Sequence, residues 1–303
     1  MKILITGGAG FIGSHVVDGF IDAGHKVVIV DNLVTGKEEN INPLAKFYET
    51  DIRNYKNLEN VFKKEKPEFV NHHAAQVDLR KSMQTPIYDA EVNLIGSLNL
   101  IELSKKFETK GLIYISTGGA VYGEPKYLPV DESHPIEPLS QYGVNKHTVE
   151  HFLFINKSQG LNYTVLRYPN VYGPRQDPSG EAGVVAIFST QLLNGQRPTI
   201  FGDGSKTRDY VYVSDIVKAN ILAFKNFEAF KNIEKGNTFN IGWGKEISDL
   251  EIFNSIKSAL KSDIEPVFGK KRLGEIDRIC LNSANAAILL GWKPTVEKKE
   301  GIN

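Results

Sequence analysis

Cysteine is nearly absent: Cys280 stands alone among 303 residues. One thiol excludes an intramolecular disulfide and a cysteine-built metal centre, and a lone cysteine reads first as a small buried apolar residue. Net charge is absent too, with 36 Lys and Arg against 36 Asp and Glu. Without a basic excess, nucleic acid is not an expected partner. No run approaches about 18 uninterrupted apolar residues, so a transmembrane helix is excluded and no membrane partner is expected. The chain starts with neither the basic segment nor the long apolar stretch of a secretory leader, so the cytoplasm is the expected compartment. Internal repeats and low-complexity linkers are also missing. What remains is 41% hydrophobic and 24% charged, the balance of a soluble protein with a real core. The length suits one large domain or two unequal ones.

Short β-branched runs alternate with helical stretches in the first half. Strands are expected at Lys2–Thr6, Lys26–Asp31, Lys46–Glu49, Phe69–His73, Leu112–Ser116 and Thr164–Tyr168, and helices at Ile12–Ala23, Leu58–Lys64, Ile87–Phe107 and Gln141–Ser158. Apolar strands separated by amphipathic helices predict βαβ units and a parallel sheet covered on both faces. With right-handed crossovers this is an α/β fold built on a Rossmann-type doubly wound sheet. The rhythm breaks near residue 170, where Pro169, Pro174, Pro178 and Pro198 punctuate the chain. Helices at Val184–Asn194, Val213–Phe227 and Ser248–Leu260 are expected between short strands. Residues 1–170 therefore read as the nucleotide-binding domain. Residues 171–303 read mainly as a smaller, interleaved α/β lobe, with some segments returning to the first.

The first βα turn is Gly7-Gly8-Ala9-Gly10-Phe11-Ile12-Gly13, in which Gly8, Gly10 and Gly13 fit a G-x-G-x-x-G dinucleotide fingerprint. Glycines permit the tight turn and let a pyrophosphate reach backbone N–H groups at the helix N-terminus. Gly7, Gly10, Phe11, Ile12 and Gly13 are thus candidate cofactor contacts. Asp31, with Asn32 beside it, ends the second strand. A carboxylate there accepts hydrogen bonds from a ribose and repels a 2′-phosphate, which favours NAD over NADP. Asp51 and Ile52 follow the third strand and can meet the adenine. Ala74, Ala75 and Gln76 follow the fourth, where small residues let a cofactor lie close. His72 and His73 are adjacent, so on a strand they face opposite sides, make a poor metal pair and are expected to be structural.

Tyr142 and Lys146 stand at i and i+4 and share one face of the predicted helix. A tyrosine with a pKa near 10 is a poor base at neutral pH. A neighbouring ammonium and the charge of an oxidised nicotinamide would stabilise its phenolate. With the glycine turn upstream, the chain resembles the extended short-chain dehydrogenase/reductases, and within them the UDP-hexose 4-epimerases. The resemblance runs nearly the whole length. It rests on Thr6-Gly7-Gly8-Ala9-Gly10-Phe11-Ile12-Gly13, His73-Ala74-Ala75 and Val92-Asn93-Leu94-Ile95-Gly96. It continues in Ser116-Thr117-Gly118-Gly119-Ala120-Val121-Tyr122-Gly123, Tyr142-Gly143-Val144-Asn145-Lys146 and Arg167-Tyr168-Pro169-Asn170-Val171-Tyr172-Gly173-Pro174-Arg175. Arg208-Asp209-Tyr210-Val211 and Arg272-Leu273-Gly274-Glu275 complete it.

The resemblance implies a Rossmann domain holding NAD, a small C-terminal lobe holding a UDP-sugar, and no metal. It implies that Tyr142 takes the proton of the sugar 4-hydroxyl while hydride leaves C4, and that Lys146 binds the nicotinamide ribose and tunes Tyr142. Asn93, Ser116, Tyr168 and Val171 become cofactor contacts. Asn170, Thr199, Phe201, Arg208, Arg272 and Glu275 become substrate contacts, with Arg278 as a further diphosphate candidate. The family's usual catalytic Ser or Thr position holds Gly118 here, so Thr117, or failing it Ser116, is expected to position O4. The related 4,6-dehydratases carry an Asp-Glu pair where this chain has Gly119 and Ala120, which argues against dehydration. Ile279 or Cys280 aligns with a residue that limits room beside the sugar. UDP-galactose and UDP-glucose are the expected substrates. UDP-N-acetylhexosamines, UDP-hexuronic acids and a non-catalytic NAD-sensing role are the alternatives. The family further implies a homodimer through the Ile87–Phe107 and Gln141–Ser158 helices, with Phe152, Leu153, Phe154 and Ile155 as apolar candidates.

Overall fold

The computed structural model describes residues 1–179, 183–230, 237–271 and 276–303. Its first six strands are β1 (Lys2–Thr6), β2 (Lys26–Asp31), β3 (Lys46–Glu49), β4 (Phe69–His72), β5 (Gly111–Thr117) and β6 (Tyr163–Tyr168). They pair in parallel in the order β3-β2-β1-β4-β5-β6. The order reverses between β1 and β4, which makes the crevice at their carboxyl ends the switch point where such sheets bind nucleotides.

The helices between them are α1 (Phe11–Asp22), α2 (Tyr55–Glu65), α3 (Leu79–Gln84), α4 (Pro86–Ala90), α5 (Gly96–Lys106) and α6 (Gln141–Lys157). The single helix expected over Ile87–Phe107 is helical throughout but carries one widened π-type turn at Glu91–Ile95, between α4 and α5. Such turns recur at functional sites, and this one contains Asn93. Side chains cap several starts: the Asn54 side chain accepts from Asn57 N–H, and the Ser140 hydroxyl accepts from Gly143 N–H at the head of α6. Gly10 caps α1 with no side-chain bond, so the first turn of that helix presents its N–H groups outward.

In the second half the elements are β7 (Asn170–Tyr172), α7 (Val184–Leu193), β8 (Thr199–Phe201), β9 (Thr207–Arg208), β10 (Tyr210–Tyr212), α8 (Val213–Asn226), β11 (Thr238–Asn240), β12 (Ile247–Ser248), α9 (Asp249–Ala259) and β13 (Val267–Gly269). Two of these return to the first half. β11 pairs with β6 as the seventh strand of the main sheet. α8 packs against α1, with Phe20 and Phe224 meeting edge to face at 5.4 Å.

Successive residues of one strand feed different cores, as the pleat demands. Ile3, Ile5, Val27 and Ile29 join Val16, Phe20, Ile216 and Phe224 on one face. Leu4, Val28 and Val30 join Phe62, Leu100, Val149 and Leu153 on the other. This is why the central strands read as continuous apolar runs. A third core gathers Tyr172, Phe188, Ile200, Tyr210, Phe253 and Ile256 away from the sheet. Phe20→Ala is expected to lower unfolding stability by about 3–5 kcal/mol, read as an earlier urea midpoint with an unchanged far-ultraviolet spectrum before the transition.

Candidate active site

The glycine turn bends sharply at the end of β1. Gly7 has φ +68°, and a Cβ on it would lie 2.6 Å from the Ala74 backbone N after β4. A Cβ on Gly13 would lie 2.0 Å from the Gly7 carbonyl. Only glycine fits either place, and together they open a cradle over the uncapped N-terminus of α1, which carries Phe11 and Ile12. Asp31 closes one side: its carboxylate accepts the N–H of Ala9 at 3.0 Å and of Leu33 at 2.9 Å. Asn32 donates to Asp51 at 2.9 Å, and Arg53 at Asp51 holds that carboxyl down to about 2. Ile52 is buried against Gly96. The set fits NAD: an anion-accepting helix end, a strand-end carboxylate and a close-approach floor.

Asn93 reaches this floor through Gln76. Its Oδ1 accepts the Gln76 N–H at 3.0 Å, and its Nδ2 donates to the Gln76 carbonyl at 2.9 Å. The widened turn thereby fixes the Ala74-Ala75-Gln76 loop. His72 is structural, as expected. The Ser97 hydroxyl donates to Asn93 O, so His72 Nε2 is the donor to Ser97, 2.9 Å away, and Nδ1 accepts from Thr6 Oγ1 at 2.7 Å. Among the described residues, no three His, Cys, Asp or Glu side chains gather as a metal ligand set.

Thr117, at the end of β5, is the neighbour whose hydroxyl lowers Tyr142. Ser116 points the other way: its hydroxyl is buried and donates to Glu150 at 2.5 Å. The structure therefore places Thr117, not Ser116, at the tyrosine. It also explains Gly118. A Cβ there would stand 2.4 Å from Leu281 Cδ1, so that space is already filled. Leu281 is held in turn by its N–H to Asp209 at 3.0 Å. A Cβ on Gly119 would lie 3.8 Å from Thr117 Oγ1 and 3.9 Å from Asn170 Oδ1, so Asn170 faces the Thr117 loop across Gly119.

Lys146 is 3% exposed, with its ammonium 4.4 Å from the centre of the Tyr114 ring. Burial pulls it down to about 7, against the raising fields of Glu150 and Asp89. The expected lowering of Tyr142 counts on the charge of an oxidised nicotinamide, and the chain's own contribution runs the other way. Burial and the Asp89 charge push the phenol above its usual value, and the Thr117 hydroxyl only partly offsets them. Behind Lys146, the Arg167 guanidinium donates to both Glu150 oxygens and, through Nη1, to Tyr122 at 2.7 Å. Although burial acts the other way, Arg167, His147 and Ser116 hold Glu150 down to about 2.

The other expected residues are scattered more widely. Tyr168 accepts from Asn220 at 2.5 Å, and Val171 is buried in β7. Thr199 and Phe201 flank Ile200 on β8 and are half-buried, while Ile200 enters the third core. Arg208, on β9, donates to the Thr207 carbonyl at 2.8 Å. Arg278 is committed to Glu246 through two bonds of 2.8 and 2.6 Å. Arg272 and Glu275 lie outside the described residues. Ile279 and Cys280, expected beside the sugar, are 2% and 3% exposed. Ile279 packs with Val121, Tyr122 and Leu281, and the Cys280 carbonyl accepts the Val130 N–H, so neither is a surface lining. Asp89, Glu150 and Leu281 went unseen in the sequence, and Asn145 was read only as part of the Tyr142-to-Lys146 motif. Their partners come from distant segments, although Glu150 falls one helical turn beyond Lys146.

A glycine cradle at the switch point of a parallel sheet, with a Tyr-x-x-x-Lys helix beside the next strand end, defines a dinucleotide-dependent enzyme of the short-chain dehydrogenase/reductase class. Residues 3–242 match the family model described as the NAD dependent epimerase/dehydratase family, and the chain belongs to that family. A putative UDP-glucose 4-epimerase of Methanocaldococcus jannaschii is 48% identical, over 99% of this chain and 95% of the relative. The structure of Thermotoga maritima UDP-glucose 4-epimerase with UDP-glucose superposes with a TM-score of 0.94 at 48% identity, covering 100% of this chain and 96% of that one. The Thermus thermophilus UDP-glucose 4-epimerase complex with NAD gives 0.93 at 39%, with coverages of 100% and 96%.

Arg167→Met would strand the buried Glu150 carboxylate. It is expected to cost about 3–5 kcal/mol at neutral pH by denaturant unfolding. The folded value of about 2 lies below the ordinary carboxylate range. The pair's contribution is therefore present above about pH 4.3 and lost as pH falls from there towards 2. The penalty of Arg167→Met should shrink across that window, and adding Glu150→Gln should recover part of it.

Proposed function

We propose that the chain is an NAD-dependent UDP-sugar 4-epimerase of the cytoplasm that interconverts UDP-galactose and UDP-glucose. The observation that carries this reading is Tyr142 neighboured by the Thr117 hydroxyl, with Lys146 one turn along the same helix, beside the glycine cradle. NAD, when bound, supplies a site to which the C4 hydride can go and from which it can return. The chain does the rest. Thr117 orients O4 beside the Tyr142 hydroxyl. Tyr142 takes the O4 proton as the 4-keto sugar forms and gives it back after the sugar has turned its other face. Lys146 presents a buried positive charge that favours the Tyr142 phenolate. Asn170, Arg208, Arg272 and Glu275 serve the nucleotide-sugar, with Thr199 and Phe201 at the uracil. Gly119 and Ala120 offer no carboxylate to expel water, so the sugar leaves hydrated.

The partner is a second copy of the chain. Val144, Phe154 and Ile155 on α6, with Ile87 on α4, are apolar and exposed, Phe154 and Ile155 to 55% each. α6 packs on α3 and α4 and leaves these side chains outward. Phe152 is partly buried against the sheet's core and Leu153 is buried within it, so they are not part of that outer surface.

NMR of the purified protein with UDP-galactose and no added cofactor should show UDP-glucose growing to a stable ratio. Silence there, with added NAD, and with UDP-N-acetylglucosamine and UDP-glucuronate would overturn the reading. Tyr142→Phe should lower turnover by about 100-fold or more, with the NAD content unchanged. Light scattering should give twice the mass of the 33.7 kDa chain. Phe154→Glu should shift the protein toward the monomer, and an unchanged mass would remove that helix face from the interface.

A further inference from the structure

Asp89 ends no strand and belongs to no motif, yet its carboxylate is 0% exposed. Its Oδ1 accepts from Gln76 Nε2 at 2.8 Å and Asn93 Nδ2 at 3.0 Å, and its Oδ2 accepts from Asn145 Nδ2 at 2.7 Å. Two of these amides cannot be turned round. Asn93 Oδ1 already accepts the Gln76 N–H, and Gln76 Oε1 accepts the Asp78 N–H at 2.7 Å, so both must present their NH2 groups to Asp89. Three donors suit an ionised carboxylate, which only accepts. Asn145 immediately precedes Lys146. One buried charge therefore ties the Gln76 loop of the cofactor floor to the helix that carries Tyr142 and Lys146.

The surroundings of Lys146 single this charge out. From its own helix Lys146 faces Glu150, which His147 and, from β6, Arg167 hold in turn; from β4 it faces His72 and His73, and from β5 Tyr114, while Tyr142 lies one turn back along α6. Glu150 is balanced by Arg167. Asp89 has only neutral amides and, among the described residues, no ion-pair partner. We infer that Asp89 is a positioning residue whose uncompensated negative charge keeps Lys146 an ammonium and fixes the pH range in which Tyr142 can work. Its field opposes the burial of Lys146 and adds to the rise of Tyr142.

The inference rests on the Tyr142 and Lys146 roles proposed above. Activity should rise as Tyr142 loses its proton and fall as Lys146 loses its own. Removing the Asp89 charge lowers both values. The pH–rate profile of the NAD-containing enzyme with UDP-galactose should therefore slide to lower pH by about one unit on both limbs in Asp89→Asn. Asp89→Ser, smaller and also neutral, should slide it the same way if the asparagine is poorly tolerated. Asn145→Leu keeps the charge and removes one donor, so it should lower the plateau and leave the limbs in place. Both Asp89 variants with lowered plateaus and unmoved limbs would reduce Asp89 to packing and overturn the inference. Should the parent enzyme not turn over at all, the proposed function fails and Asp89 is judged separately. The Tyr142 phenol is then titrated by ultraviolet difference against Tyr142→Phe. A lower midpoint in Asp89→Asn supports the inference, and an unchanged one rejects it.

Discussion

A buried ammonium is the constraint from which the rest of the site follows. Taking a lysine out of water favours its neutral form, and the surrounding protein must supply negative charge if the cation is to persist. Around Lys146 two carboxylates do so from different directions, Glu150 along its own helix and Asp89 across from α4. Each then needs its own support. Glu150 takes Arg167, Ser116 and His147, and Asp89 takes three side-chain amides. The polar layer beneath α6 is therefore an extension of one charge requirement, and it reaches β5, β6 and the widened turn before α5.

The tyrosine shows the other side of that arrangement. The same burial that pulls Lys146 down also penalises the Tyr142 phenolate, and the Asp89 charge adds to the penalty. Thr117 and Asp89 act on Tyr142 with opposite sign, so the residue is poised by a difference between neighbours. The nearby Gly118 illustrates a steric solution in the same loop. Leu281, anchored through Asp209, occupies the space a side chain would need, and the hydroxyl nearest Tyr142 belongs to the preceding Thr117.

The sheet was legible because its central strands are buried on both faces and its helices obey a simple apolar period. β1, β2 and β3 fall where the pattern puts them, and α1, α2 and α6 shift by only one to three residues at an end. The glycine turn and the Tyr142/Lys146 pair were legible because their spacing is local. Asp89 was not, since its meaning comes from Gln76, Asn93 and Asn145, which only tertiary folding assembles. The three-residue β11 carries too little pattern to predict, and its place beside β6 is a tertiary fact. Cys280 and Ile279 were misplaced for a related reason. Position along a loop says nothing about which way the loop turns, and here Ile279 turns into the cluster with Val121 and Tyr122 while Cys280 is buried outside it.

The return of β11 and α8 to the first half has a bearing on how the chain is made. Until the segment ending near Asn240 has left the ribosome, β6 is an open sheet edge and the face bearing Phe20 and Phe69 lacks the cover of Phe224 and Phe227. Bare parallel edges and uncovered aromatic faces are the surfaces that drive aggregation during synthesis. The half that carries the glycine turn is thus translated before the segments that complete it, and a nascent chain stalled before β11 presents a client surface for a chaperone.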